Sequence, residues 1–300
     1  MLNLAVHSFL ILIMVGLSLV SLKIRPMAIS SLPAQRPFGA TSRPDAWWVQ
    51  PLLVFLGFSA FIIYSTWAAF HPLYNGNCAY WFGGNGANYL SPFFSPEIFG
   101  YSPHALLGGK PAWWPGWLLF SPAFLVLWAP GGFRFTCYYY RGAYYKAFWA
   151  DPLNCAVGEP RKKYLGERYL PLILQNIHRY FFYLAALFIL LLAHDAWKGL
   201  WFTDATGQSH FGLGVGTIIL ILNPIFLGLY TFGCHSFWHL IGGFLDAKSK
   251  APSCAKAYNC VSCLNTRHMV WAWVSLFWVG FTDIYVRLCA MGIWHDWRVF

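Results

Sequence analysis

Six stretches of this chain are apolar over the length that a helix needs to cross a bilayer, about 20 residues. They run from Leu2 to Leu22, Trp48 to Phe70, Trp113 to Pro130, Pro171 to Trp197, Leu213 to Phe244 and His268 to Gly292. The lipid core offers the backbone no hydrogen-bond partners, so such stretches fold as helices that satisfy their own N–H and C=O groups. The expected fold is an all-α polytopic transmembrane bundle of five or six spans. The third stretch is the weakest candidate, being short and carrying Pro115 and Pro122, while Trp113, Trp114, Trp117 and Trp128 read as an interfacial aromatic belt. Composition agrees: only 10% of residues are charged, against roughly a quarter in soluble domains. That excludes a disordered chain, a collagen-like repeat and a nucleic-acid-binding tail.

A net charge of +10 then reads as topology, because Lys and Arg gather in cytoplasmic loops. Fifteen of the twenty basic residues follow the first, third and fifth stretches, whereas the loops 71–112 and 198–212 hold only Lys110 and Lys198. The basic loops are expected to face the cytoplasm and both termini the outside, an alternation that needs the third span. The first segment lacks a basic n-region and a small-residue cleavage site before Lys23, which argues against a cleaved signal peptide. Two regions result: an apolar segment and basic linker over 1–46, and a transmembrane anchor domain over 47–300 with a basic, aromatic cytoplasmic loop at 131–170. The loop 71–112, almost uncharged and rich in Gly, Asn and aromatics, suits a segment folded over the outer mouth of the bundle. No internal repeat is visible, which lowers the case for an inverted-repeat transporter.

Residues able to bind metal collect at one depth of this topology. His178 lies near the cytoplasmic end of the fourth stretch, Cys234, His235 and His239 close the fifth at the same end, and His268 opens the sixth. His235 and His239 are four apart, so a helix projects both from one face and lets two imidazoles reach one metal; the same spacing also suits an interfacial hydrogen-bonded pair. Cys137 opens an aromatic, basic stretch to Trp149 that reads as an interfacial helix, and Cys155 follows it. Two Cys and two His at one depth suit a [2Fe-2S] cluster with Cys on one iron and His on the other; the thiols also read as small buried hydrophobes. Cys260 and Cys263 form a CxxC with Cys254 upstream, a spacing open to zinc or redox chemistry.

Two other uses of these histidines stay open. His178, His235, His239 and His268 could ligate a haem b between helices. Gln175, His178, Arg179, Tyr180 and Tyr183 could instead line an apolar slot whose donors hold quinone carbonyls, with Arg179 otherwise snorkelling to a lipid phosphate. Asp195 and Asp283 read as solvated or paired carboxylates, Asp283 with Arg287 one turn on. A metal or thiol transporter is disfavoured, because the centre of the fifth stretch, Ile218 to Leu222, is wholly apolar. No Gly-rich dinucleotide motif follows a strand, so flavin chemistry would belong to other chains.

Several strings carry a resemblance: Cys137-Tyr-Tyr-Tyr-Arg-Gly-Ala-Tyr-Tyr-Lys146, Cys155-Ala-Val-Gly-Glu-Pro160, Gln175-Asn-Ile-His-Arg-Tyr-Phe-Phe-Tyr183, Gly233-Cys-His-Ser236 and Asn265-Thr-Arg-His268. From about Trp47 onward the chain resembles the membrane-anchor C subunit of the bacterial succinate dehydrogenases (complex II) that hold a Rieske-type [2Fe-2S] cluster in place of haem b. The resemblance implies an inner-membrane anchor, not catalytic alone. Flavoprotein and iron–sulfur subunits would dock on its cytoplasmic face, oxidise succinate and pass electrons through it to a membrane quinone. It also implies a cluster on Cys137, Cys155, His235 and His239, with Cys234 as a possible replacement for one of them. Beside that cluster Gln175, His178, Arg179 and Tyr183 stay the quinone candidates and His268 a further cofactor-binding candidate, and the basic loops would meet partner subunits and anionic membrane lipids. Leu2 to Leu22 and the cysteines 254, 260 and 263 depart from the family pattern.

Overall fold

The computed structural model describes residues 37–150, 153–158, 172–242 and 251–300. The apolar segment Leu2 to Leu22 and most of the 1–46 region lie outside them. Four helices among the described residues are long and apolar enough to cross a membrane: Val49–Phe70 (α1), Ile173–Lys198, Val215–Phe232 and His268–Ala290.

Trp113 to Pro130 does not form the single long helix expected of a span. Turns occupy 112–119, and two short helices follow, Ala123–Val126 (α2) and Trp128–Phe135 (α3). The prolines explain the interruption, since Pro122 and Pro130 have no N–H to extend a helix from the preceding turn. From Ala123 to Phe135 the helical path is about 20 Å long, against the roughly 30 Å of a hydrocarbon core.

The expected fold also lacked β-structure, and the structure adds three short antiparallel hairpins. They pair Leu73–Tyr74 (β1) with Asn77–Cys78 (β2), Trp81–Phe82 (β3) with Tyr89–Leu90 (β4), and Trp201–Thr203 (β5) with Ser209–Phe211 (β6). The connections between spans therefore satisfy their backbone groups locally rather than hanging as open loops. Gly86 shows why the loop residues are small: its φ is +76°, and a Cβ there would stand 2.1 Å from the carbonyl oxygen of Thr203.

By packing, the chain divides into two compact units, residues 1–62 with 134–179 and residues 63–133 with 180–300. In the first unit the aromatic stretch after Cys137 is helical, as expected: Tyr138–Tyr144 (α4), continued by a wider turn over Tyr145–Trp149. Its rings grip the start of α1, with Phe58 packed on Tyr140 at 4.9 Å and Phe55 on Phe148 at 5.0 Å. Asn154 closes the unit by donating to the carbonyl of Trp47 at 3.0 Å.

The second unit holds three long helices: His178–Lys198 (α5), from Tyr180 on, Val215–Phe232 (α6) and His268–Ala290 (α9). Helix α5 enters through a 3-10 turn at Leu172–Ile177. Between α6 and α9 come His235–Gly242 (α7) and Pro252–Thr266 (α8). Helix α9 is the central one, 67% buried over its most apolar window, against 28% for the span that contains α5. In lipid such helices associate by close packing and hydrogen bonds rather than by the hydrophobic effect. Here the indole N–H of Trp278 on α9 donates to the carbonyl of Ile219 on α6 at 3.1 Å.

The expected fifth span, Leu213 to Phe244, is cut in two. Helix α6 ends at Phe232, and the Gly233-Cys234 step opens α7 instead of closing α6. A Cβ on Gly233 would lie 2.7 Å from the carbonyl oxygen of Leu229, and Asn265 Nδ2 donates to the Gly233 carbonyl at 2.9 Å. That bond satisfies one of the carbonyls that a helix leaves open at its C-terminus.

Candidate functional site

The break at Gly233 builds the candidate metal centre. His235 is the first residue of α7 and His239 stands one turn on, as their four-residue spacing predicts. Their Nε2 atoms converge to 3.0 Å, with ring centroids 4.4 Å apart and nearly perpendicular. At that distance the two rings are hydrogen-bonded to each other; two imidazoles on one tetrahedral metal, at about 2.0–2.1 Å each, stand about 3.3 Å apart, so a small separation of the rings would let the pair share a metal or one iron of a cluster. Both histidines are exposed. Partial desolvation of the ring, then the neighbouring His239, holds the His235 imidazole below its ordinary pKa, and a neutral ring keeps the lone pair that a metal takes.

Supporting side chains hold the pair in place. Trp238 packs against both rings at 5.7 and 5.3 Å, stacks on Tyr258 of α8, and donates its indole N–H to Ser262 Oγ at 2.8 Å. Ser262 in turn donates to the Tyr258 carbonyl at 2.7 Å. Cys234 is buried beside the pair, its Sγ accepting the Phe237 N–H at 3.3 Å. Sequence spacing had flagged the histidines but not Trp238, Ser262 or Asn265. Trp238 and Ser262 act across a helix pair that no local pattern announces, and Asn265 enters only as part of the Asn265-Thr-Arg-His268 string, with no role attached.

The two other cysteines assigned to a cluster belong to the first unit. Cys137 is buried at the start of α4, its carbonyl accepting the Arg141 N–H at 2.9 Å. Cys155 is exposed, and Arg43 Nη1 donates to its carbonyl at 3.0 Å. Among the described residues, no three His, Cys, Asp or Glu side chains gather into a metal-holding group, so the histidine pair is the part of the candidate set that lies together. Cys254, Cys260 and Cys263 are exposed on α8.

The quinone candidates separate by burial. Gln175 and His178 point inward, 7% and 8% exposed, whereas Arg179 and Tyr183 are exposed. His178 Nδ1 is hydrogen-bonded to the buried Thr136 Oγ1 at 2.9 Å. Gln175 Oε1 is sealed from solvent and has no partner among the described residues, an arrangement that costs free energy unless a ligand or water supplies the donor. In the second unit His268 is buried and stacks on Tyr230 at 5.0 Å. Asp195 and Asp283 are buried rather than solvated. Asp195 accepts from Ser95, and Asp283 has the expected pairing with Arg287.

Comparison with known proteins gives one consistent result. Residues 49–292 match the family described as actinobacterial succinate dehydrogenase subunit SdhC. Among solved structures, the Mycobacterium smegmatis Sdh1 complex in the apo form contains a chain 42% identical to this one, covering 90% of this chain and 97% of that chain with a TM-score of 0.77. None of the curated proteins gives a significant match.

Proposed function

The chain belongs to the family of actinobacterial succinate dehydrogenase SdhC subunits, and from that premise we propose that it passes electrons from its partner subunits through a Rieske-type [2Fe-2S] cluster to a membrane quinone. It is a non-catalytic membrane subunit of the complex, and its partners are the flavoprotein and iron–sulfur subunits that carry out succinate oxidation. The convergence of His235 and His239 at 3.0 Å carries the cluster reading.

His235 and His239 would hold one iron and two cysteines the other, with Cys137, Cys155 and Cys234 as the candidate thiolates. The cluster, when bound, would relay single electrons between the iron–sulfur partner and quinone. The chain's own residues do the rest. Trp238, Ser262 and Tyr258 fix the direction of the two imidazoles. Gln175 offers a buried carbonyl oxygen able to accept a hydrogen bond from a quinol hydroxyl. Thr136 fixes the ring of His178 one turn away, and in this reading His178 would exchange a proton with a quinone oxygen.

The charge pattern favours a cytoplasmic, inner-membrane placement of the basic loops. For those loops to share one side, the chain must cross once between 112 and 134, where α2 and α3 stand. The exposed Tyr138 and the half-buried Arg141, whose guanidinium lies 4.2 Å from the Tyr138 ring, suit a surface that meets headgroups or the docking subunits.

The deciding experiment is low-temperature electron paramagnetic resonance of the dithionite-reduced purified complex. A rhombic signal with the low average g of a His-ligated [2Fe-2S] cluster, lost in His239→Ala, is the expected result. A haem spectrum, or no cluster signal at verified full reduction, overturns the assignment.

A further inference from the structure

Residues 98–133 carry a single charged side chain, Lys110, yet their large apolar side chains are not gathered inward. Leu106 is 71% exposed, Leu107 65%, Trp113 64% and Trp117 86%, the last being the most exposed large hydrophobic among the described residues. The exposure is built into the fold. Glu97 is buried and accepts Tyr80 Oη at 2.5 Å and the Ser102 N–H at 3.1 Å. The Leu106 and Leu107 N–H groups donate to the carbonyls of Glu97 and Ile98 at 2.9 and 2.8 Å, and Gly100 N–H donates to Gly108 at 2.9 Å. A chain of rings then carries the apolar surface onward, Phe99 to Trp113 at 6.2 Å, Trp113 to Trp114 at 5.8 Å and Trp114 to Phe120 at 5.3 Å.

This ring chain stands at the end of a membrane-crossing helix, because Phe124, four residues past Phe120, packs on Phe70, the last residue of α1, at 4.9 Å. Side chains held open at that level meet the boundary between acyl chains and headgroups. Indole rings favour that boundary, with an apolar body toward the chains and an N–H toward water and phosphate. A patch of this kind facing water would be an aggregation liability.

We infer that residues 98–120 form an interfacial shelf on the lipid headgroup layer, with Leu106, Leu107, Trp113 and Trp117 inserted among the upper acyl carbons and Lys110 beside the phosphates. The choice of lipid over a second protein surface rests on two observations. The shelf is continuous with the end of a spanning helix, and its most open side chains, Leu106, Leu107, Trp113 and Trp117, offer only indole N–H groups, with Lys110 the one charge beside them, a pairing that suits acyl chains under phosphates rather than a specific protein surface.

The test places the photoreactive residue p-benzoylphenylalanine at position 117, and separately at 106, in the assembled complex in nanodiscs of phosphatidylethanolamine and phosphatidylglycerol. The same residue at the exposed position 206, in the β5–β6 turn, is the control. Illumination is expected to add the mass of one phospholipid to the subunit labelled at 117 or 106 and none at 206. Crosslinks from 117 and 106 to a second copy of the chain or to a partner subunit overturn the inference, as does full photolysis without a lipid adduct at either site.

Discussion

Asp283 Oδ2 lies 3.3 Å from Nε of Arg287, one turn apart on α9, with both side chains sealed from solvent. The pair is the centre of a larger clamp. Tyr64 Oη donates to the same carboxylate at 2.5 Å, and Ser91 donates to its other oxygen. Arg287 spends its remaining donors on the carbonyls at the end of α1, reaching His71 at 2.6 Å and Ala68 at 3.2 Å. Its guanidinium lies 5.3 Å from the Trp67 ring. One arginine thereby closes the C-terminus of one spanning helix, whose last carbonyls have no intrahelical partner, and ties it to the central helix of the unit.

Removing the cation should therefore cost more than the pair contributes net. Arg287→Met leaves Asp283 buried without its charge partner and the carbonyls of Ala68 and His71 open, a loss of about 3–5 kcal/mol. The double variant Asp283→Leu/Arg287→Met removes both charges and is expected to be more stable than Arg287→Met alone. Thermal unfolding of the purified complex in detergent, run as a double-mutant cycle, checks this; a double variant no more stable than the single one refutes it.

The loop after β4 should weaken in mild acid. Burial, then the positive neighbours Lys198 and His194, lowers the His104 pKa to about 4 from its ordinary 6.5, and its Nε2 stands 2.6 Å from Asn88 Oδ1. Above pH 6.5 the imidazole is neutral whether folded or unfolded, so it adds no pH dependence. As pH falls from 6.5 towards 4 the unfolded chain takes up the proton and the folded one resists, so stability drops. Full burial would make that gap worth about 3 kcal/mol, and partial exposure of the ring reduces it to about 1–2 kcal/mol. Hydrogen exchange of residues 98–108 between pH 7 and 4.5 should show the loss, and His104→Gln should flatten it.

Particular residues show what could be read from the chain alone. The spans at α1, α5, α6 and α9 were legible because apolar length is a direct statement about the bilayer. The contact between His235 and His239 was legible because a four-residue spacing puts both rings on one helix face, whether they share a metal or, as here, a hydrogen bond. Trp113 to Pro130 was legible as apolar but not as broken: its prolines withhold donors, so two short helices stand where one long helix was expected, and Trp113, Trp117 and Trp128 stay open. Gly233 was legible only as a motif residue, since the reason for the helix break is the nearby Leu229 carbonyl and the Asn265 amide from another helix. Thr136 beside His178, and Ser91 beside Asp283, depend on long-range contacts that no spacing rule encodes.

The break at Gly233 should govern the proposed metal centre without touching it. In Gly233→Ala the new Cβ would meet the Leu229 carbonyl, which is backbone and cannot swing away, so the start of α7 must move and carry His235 with it. Asn265→Ala removes only the cap on the Gly233 carbonyl, at a cost of about 1 kcal/mol. The expected order of cluster content per assembled complex is wild type, then Asn265→Ala, then Gly233→Ala, read as iron and as the integrated paramagnetic signal. Equal cluster content in all three would separate the helix break from the site.

Two variants should cut the proposed electron path at different places. His239→Ala removes a ligand, so reduction of quinone by succinate should be lost while succinate oxidation by an artificial soluble acceptor, which takes electrons upstream, persists. Gln175→Leu leaves the His235–His239 pair untouched but replaces the buried carbonyl oxygen that lacks a partner among the described residues. Losing one buried hydrogen bond to the substrate is worth about 1–1.5 kcal/mol, or roughly tenfold in KM for quinone. The cluster signal and the soluble-acceptor rate should stay at wild-type levels in Gln175→Leu. An unchanged KM for quinone would remove Gln175 from the quinone site, and a lost cluster signal in that variant would assign it to the structure of the metal centre instead.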